Sequence, residues 1–204
     1  MGIIAIFGGT FNPIHIGHIE IVKELSTNEN IEKILVMPAK LPPHKSVDFL
    51  AEDDHRVKMC ELAVCDITKA EVCKLELERA GKSYTVDTIK EVKKKYQDKD
   101  IAITIGADMV VTFDEWKDYK VILENAKIIT FGRSGTNMDS YNDSIAHLKE
   151  LGADLIKIEG EISHVSSTEI RNALINGGDT SGLLDCRVYE YILDNNVYGV
   201  RNGL

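Results

Sequence analysis

The sequence predicts an α/β fold: a doubly wound, mainly parallel sheet with helices on both faces, in a single domain over residues 1–204. Three observations predict it. Short β-branched runs alternate with amphipathic stretches along the whole chain, the pattern of parallel strands joined by crossover helices. No repeat, low-complexity tract or Pro/Gly-rich linker divides the 204 residues, a length that suits one core. Several distinctive polar motifs directly follow the strand-like runs, as expected where ligands bind beyond the carboxyl ends of strands.

Ile3 to Phe7 is an apolar run that reads as a buried first strand, and Gly17 to Leu25 reads as the helix after it. Lys33 to Met37 follows as a second strand and Glu52 to Cys65 as a second helix. Cys73 to Leu77 is a weaker strand. Thr85 to Tyr96 places Val86, Ile89, Val92 and Tyr96 on one stripe at helical spacing. Ile101 to Gly106, Lys127 to Gly132 and Asp154 to Ile158 complete the strands, with a helix over Asp118 to Asn125 between the first two. Ser166-Ser167-Thr168-Glu169 has the pattern of a capping box, Ser166 as N-cap and Glu169 as its partner. That helix runs to about Asn176, where Gly177-Gly178 stops it. A last helix spans Leu183 to Leu193.

Composition narrows the function classes. A hydrophobic content of 44% and a charged content of 28% are ordinary for a globular chain. No apolar run reaches the ~18 residues of a spanning helix, and Ile3 to Phe7 is too short for a secretion signal. The expectations are a cytoplasmic location and no membrane partner. A net charge of −9 argues against a general nucleic-acid surface. It does not exclude one nucleotide, because a triphosphate needs only a few cations and well-aimed N–H groups. Cys60, Cys65, Cys73 and Cys186 lack ligand-like spacing and are expected to be buried, reduced thiols.

The chemistry concentrates after the first strand, in Gly8-Gly9-Thr10-Phe11-Asn12-Pro13-Ile14-His15-Ile16-Gly17-His18. Two glycines let a backbone approach a phosphate and leave its N–H groups unscreened, although any strand-to-loop turn can use them. Thr10 adds a hydroxyl. His15 and His18 stand three apart where a helix opens, so both imidazoles can face one point beside the positive end of the helix dipole. Such a group stabilises charge developing at phosphorus. A metal pair without an evident third ligand, or a structural histidine pair, is the alternative.

Gly8 to Pro13 followed by His15-x-Gly17-His18 resembles the signature of the HxGH nucleotidyltransferases, a Rossmann-like superfamily related to class I aminoacyl-tRNA synthetases. Its second signature is matched by Val165-Ser166-Ser167-Thr168-Glu169-Ile170-Arg171. Further segments resemble the nicotinate-nucleotide adenylyltransferase family: Met37 to Lys45, His55-Arg56 with Met59, Ser83 to Thr88, Ile105 to Met109, and Trp116. The likeness extends from Ile4 to Tyr198. Ala39 departs from it, standing where the family commonly has a polar amide near the nicotinate pocket.

The resemblance implies an adenylyltransferase that joins nicotinate mononucleotide and ATP into deamido-NAD and pyrophosphate, within NAD biosynthesis. Thr10, His15, His18 and Arg171 are the implied catalytic set. Gly8, Gly9, Phe11, Gly106, Asp108, Arg133, Ser167 and Thr168 join them around ATP. His44, Lys45, Tyr84, Thr85, Asp108 and Trp116 are the implied contacts to the mononucleotide. The polar residues have bland alternatives: a solvated pair at His44-Lys45, helix capping at Thr85 and Asp108, and packing at Trp116. Mg²⁺ is expected to arrive on the triphosphate, with no dedicated protein ligands. The partners are small molecules, and a homodimer is left open. Other readings are a relative acting on nicotinamide mononucleotide or another small phosphate, and a nucleotide-sensing module without turnover.

Overall fold

β-Branched and aliphatic residues build six strands: β1 (Ile3–Gly9), β2 (Ile31–Pro38), β3 (Ala70–Val72), β4 (Asp100–Gly106), β5 (Lys127–Arg133) and β6 (Leu155–Ile162). The computed structural model describes residues 2–40, 49–81, 83–133 and 138–200, with the side chains of all but 107–108, 132–133, 138–140 and 159–161. The helices are α1 (Ile16–Thr27), α2 (Asp53–Val64), α3 (Leu75–Glu78), α4 (Thr85–Lys95), α5 (Ala107–Val110), α6 (Tyr119–Asn125), α7 (Met138–Glu150), α8 (Ser167–Ile175) and α9 (Cys186–Asp194). Short 3₁₀ turns lie at Phe113–Glu115 and Val197–Gly199.

The strands pair in the order β3-β2-β1-β4-β5-β6, and each of these ladders is parallel. Ala5 sits at the centre, in register with Ile34 on one side and Ala102 on the other. Strands buried on both faces send alternate side chains to two cores. Ala5, Phe7, Ile34, Val36, Ala102, Ile129 and Phe131 face one core, which α1, α2, α8 and α9 close with Ile19, Val22, Met59, Cys60, Ile170 and Val188. Ile4, Ile6, Leu35, Met37, Ile103, Ile105 and Ile128 face the other, closed by Val86, Ile89 and Val92 of α4 and Ile122 of α6. The doubly wound parallel sheet expected from the sequence is the one observed.

Two local expectations are corrected. The weak strand placed at Cys73 to Leu77 lies earlier, at Ala70–Val72, and Leu75–Glu78 is a turn of helix. The Cys73 N–H still reaches Val36 O, but the ladder ends there. Leu-Glu-Leu-Glu then follows its helical preference, with the Glu76 carboxylate buried and taking the Thr88 hydroxyl at 2.6 Å. Of the four free thiols only Cys60 is fully buried; Cys65 and Cys186 are exposed and Cys73 half-buried. Burial pushes the Cys60 and Cys73 thiols up from the ordinary range. Among the described residues no helix is long and apolar enough to cross a membrane.

Candidate active site

The chain winds outward from β1 to β3, then crosses back to β4 and winds the other way. The connections leaving the carboxyl ends of β1 and β4 therefore part, and a crevice opens between them. Gly8 and Gly9 end β1, and Gly106 ends β4. Gly8 is exposed, with nothing within 4 Å of where its Cβ would be, so bare backbone faces open space. At Gly9 a Cβ would come within 2.8 Å of the Phe11 ring. Phe11 itself takes a φ of 45°, costly for a bulky residue and tolerated only where the surroundings hold it. Its buried ring meets Phe7 and His18, with centroids 5.4 and 5.0 Å away.

What holds this loop is a set of side chains to which the sequence assigned no role. The Asn12 amide donates to Phe49 O at 3.0 Å, and its oxygen accepts from Ala51 N–H at 3.0 Å and Tyr198 O–H at 2.8 Å. Burial raises the Tyr198 hydroxyl above the usual phenol range, against the pull of Arg171 and Arg56. Arg56, 0% exposed, donates to Thr10 O at 2.8 Å and Ala51 O at 3.2 Å, and pairs with Asp53 at 2.5 Å. One signal was available. Arg56, Met59, Cys60 and Ala63 share the buried stripe of α2, and a cation on an apolar stripe must find partners inside.

The histidines are built as a capping box, His15 at the N-cap of α1 and His18 at its third helical position. The His15 N–H donates to His18 Nδ1 at 3.3 Å. An accepting Nδ1 places the imidazole proton on Nε2, so His18 presents an N–H donor at its far edge. The two rings stack with centroids 3.6 Å apart and planes 26° off parallel. His15 is buried and His18 half-buried.

The second motif meets this loop directly. Ser166 is the N-cap of α8, as expected, but its hydroxyl accepts from Thr168 N–H at 3.3 Å in place of the capping box expected with Glu169. The Ser167 hydroxyl donates to Pro13 O at 3.0 Å. The Arg171 guanidinium donates to Asn12 O at 2.7 Å and to Thr168 Oγ1 at 3.3 Å. The α8 N-terminus is thus tied to Asn12 and Pro13, in the loop that leads from the glycine turn to the N-terminus of α1.

Across the crevice, Tyr84 is the N-cap of α4 and Thr85 its first residue. The Lys117 ammonium lies 4.4 Å from the centre of the Tyr84 ring and pairs with Asp87 at 3.3 Å. Its neighbour Trp116 is half-buried, packed on Phe113 with centroids 5.3 Å apart. Tyr84, Thr85 and Trp116 therefore share one neighbourhood. Asp108 lies in α5, directly after β4, and Arg133 ends β5; only their backbones are described. His44 and Lys45 lie outside the described residues. The Ala39 N–H is already given to Gly9 O at 2.9 Å, which ties the end of β2 to the glycine turn. Among the described residues no group of three His, Cys, Asp or Glu side chains is placed to hold a metal ion.

Comparison with known proteins agrees with this architecture. Residues 6–173 match the cytidylyltransferase-like family. A protein of Borrelia garinii subsp. bavariensis, named "Probable nicotinate-nucleotide adenylyltransferase", is 38% identical over 96% of this chain and 94% of its own. One of the same name from Listeria monocytogenes serotype 4b is 37% identical over 96% and 97%. In structure, the Plasmodium falciparum nicotinic acid mononucleotide adenylyltransferase complexed with NaAD superimposes with a TM-score of 0.83 over 100% of both chains, at 22% identity, a likeness of fold. By the extent of these matches the chain is a member of the cytidylyltransferase-like family and, within it, of the nicotinate-nucleotide adenylyltransferases.

Proposed function

We propose that this enzyme, acting as one domain over residues 1–204, transfers the adenylyl group of ATP to nicotinate mononucleotide, giving deamido-NAD and pyrophosphate. The observation that carries the reading is the meeting of the α1 and α8 N-termini at the loop that follows a bare glycine turn, in a chain whose relatives bear that enzyme's name over almost their whole length. A phosphate oxygen of the mononucleotide attacks the α-phosphorus of ATP in line. The bond from that phosphorus to the bridging oxygen breaks, and pyrophosphate leaves with the electron pair. The attacking phosphate is already ionised at neutral pH, so the protein has to position and to stabilise charge rather than remove a proton.

In this reading the N–H groups around Gly8 to Thr10, the Nε2–H of His18 and the α1 dipole face the triphosphate. Ser167, Thr168 and Arg171 bring the α8 terminus to the same phosphates, and Asp108 and Arg133 contact the nucleotide further along the carboxyl edge. Mg²⁺ arrives with ATP as part of the substrate, held by phosphate oxygens and water. The start of α4 at Tyr84 and Thr85 offers N–H groups to the nicotinate carboxylate, and Trp116 a flat face to the pyridine ring. His44 and Lys45 serve the mononucleotide phosphate. With the Ala39 N–H engaged by Gly9, that group is not free to replace the missing family amide, which leaves Lys40 and the start of α4 to recognise the carboxylate.

Pyrophosphate release tests this. ATP alone should give none, and ATP with nicotinate mononucleotide should give rapid release. A faster reaction with nicotinamide mononucleotide would replace the proposed substrate, and silence with both would end the reading. In the same assay His18→Ala should lower kcat by about 10²–10³-fold, the usual loss for a donor aimed at developing charge.

A further inference from the structure

We infer that Glu20 and Ser163 form a positioning clamp that sets the spacing between the two phosphate-binding helix starts, an inference that rests on the adenylyl-transfer reading above. Glu20 stands on α1, two residues after His18, and is half-buried. Both its carboxylate oxygens are engaged by one residue on the far side of the sequence. Oε2 accepts the Ser163 N–H at 2.7 Å and Oε1 accepts the Ser163 hydroxyl at 2.9 Å. Charge-assisted bonds of this kind are roughly twice as strong as neutral ones.

Ser163 follows directly on β6 and stands three residues before Ser166, the cap of α8. Its carbonyl is also fixed. A Cβ on Gly17 would lie 2.8 Å from Ser163 O, so the chain leaving β6 rests on the bare backbone of the first turn of α1. The glycine of the His-x-Gly-His motif is therefore explained by protein packing. Ser163 is held on two sides, by Glu20 through its donors and by Gly17 through contact. From there the chain has three residues in which to reach α8, whose Ser167 and Arg171 then meet the loop at Pro13 and Asn12.

Displacing the α8 terminus by a fraction of an ångström weakens phosphate contacts that matter most at the transition state. It leaves the start of α4, across the crevice, where it was. Glu20→Ala should therefore lower kcat about tenfold or more and raise the KM for ATP, while the KM for nicotinate mononucleotide stays within about twofold. Glu20→Gln keeps an oxygen for the Ser163 N–H and can donate its amide to the hydroxyl, so it should recover most of the loss. Ser163→Ala, which keeps the N–H bond and removes one of the two, should fall between them.

Steady-state kinetics of these three variants by pyrophosphate release, with melting temperatures alongside, make the test. Wild-type turnover on ATP and nicotinate mononucleotide is the control for the underlying reading; its absence would remove that reading and leave the clamp's premise void. With wild-type turnover present, unchanged ATP kinetics in Glu20→Ala would overturn the clamp. So would an equal rise in both KM values with a matching fall in melting temperature and no rescue by Gln. If Glu20→Ala does not fold, Ser163→Ala decides in the same way by its two KM values.

Discussion

At the residue scale, Arg56 shows how a side chain remote from the reacting atoms shapes the site. It is wholly buried, yet gives its guanidinium to Thr10 O, Ala51 O and Asp53. Removing it leaves the Thr10 and Ala51 carbonyls without their donor, while the partly exposed Asp53 carboxylate can turn to water, and a buried polar atom without a partner costs about 1–3 kcal/mol. Arg56→Met, which keeps much of the volume, should lower unfolding stability by about 2–4 kcal/mol in a urea titration and slow pyrophosphate release, because Thr10 loses its anchor. A variant of wild-type stability would show that water replaces those bonds at no cost. The same residue marks what a sequence reveals. His15 and His18 at the start of α1 and Ser166 at the start of α8 were legible as helix-start residues because that placement is local: residue types with a fixed spacing. The roles of Asn12, Arg56, Glu20 and Tyr198 were not legible, because each has a partner 37 or more residues away: Phe49 for Asn12, Thr10 for Arg56, Ser163 for Glu20 and Asn12 for Tyr198. Only tertiary structure tells a solvated polar side chain from one that staples three segments.

At the scale of elements, the long apolar strands and the helices with a strong stripe were placed to within a few residues. α7 was missed because its buried face is Tyr141, Ser144 and Leu148, a stripe with a hydroxyl at its centre. The last helix was expected from Leu183 and begins at Cys186, because Asp185 caps it by accepting the Arg187 N–H at 2.9 Å. That cap links elements as well. The Arg187 guanidinium donates to both oxygens of Asp185, to Asp66 and to the Cys65 sulfur, joining the start of α9 to the end of α2. The Arg187 bonds hold the Asp185 carboxyl below the usual carboxylate range, outweighing the burial that opposes them. A lowered folded pKa gives stability that is fully present above the unfolded value, near pH 4, and is lost as pH falls through the folded value. Asp185→Asn should therefore melt below the wild type at pH 7, and the gap should close as the pH is taken from about 5 to 2. A gap that holds constant across that range would mean that the carboxylate's charge contributes nothing and only its geometry matters.

At the scale of the molecule, strand order turns a list of motifs into one site. Six candidate strands are legible in the sequence but not their neighbours; in the order β3-β2-β1-β4-β5-β6 the chain winds outward twice from the middle of the sheet, in opposite directions. It places β1 beside β4, so the glycine turn, Gly106 and the α8 terminus open on the same crevice, with the start of α4 on its other flank. The glycine turn and the start of α4 follow strands of one half of the sheet, Gly106 and the α8 terminus strands of the other, and a nucleotide seated there ties the halves together. Ligand that binds only the folded chain stabilises it by mass action, about 2.7 kcal/mol at a hundred times its dissociation constant. For a chain of this size that corresponds to a rise of roughly 5–11 °C in melting temperature. Magnesium-ATP at saturation should produce such a rise in the wild type, and the rise should be much reduced in His18→Ala, which under the proposed function loses a donor to the triphosphate. Nicotinate mononucleotide, which the proposed function seats on the α4 side, should shift both proteins alike. Equal ATP shifts in the two proteins would place the triphosphate away from α1, and the crevice between β1 and β4 would then need another occupant.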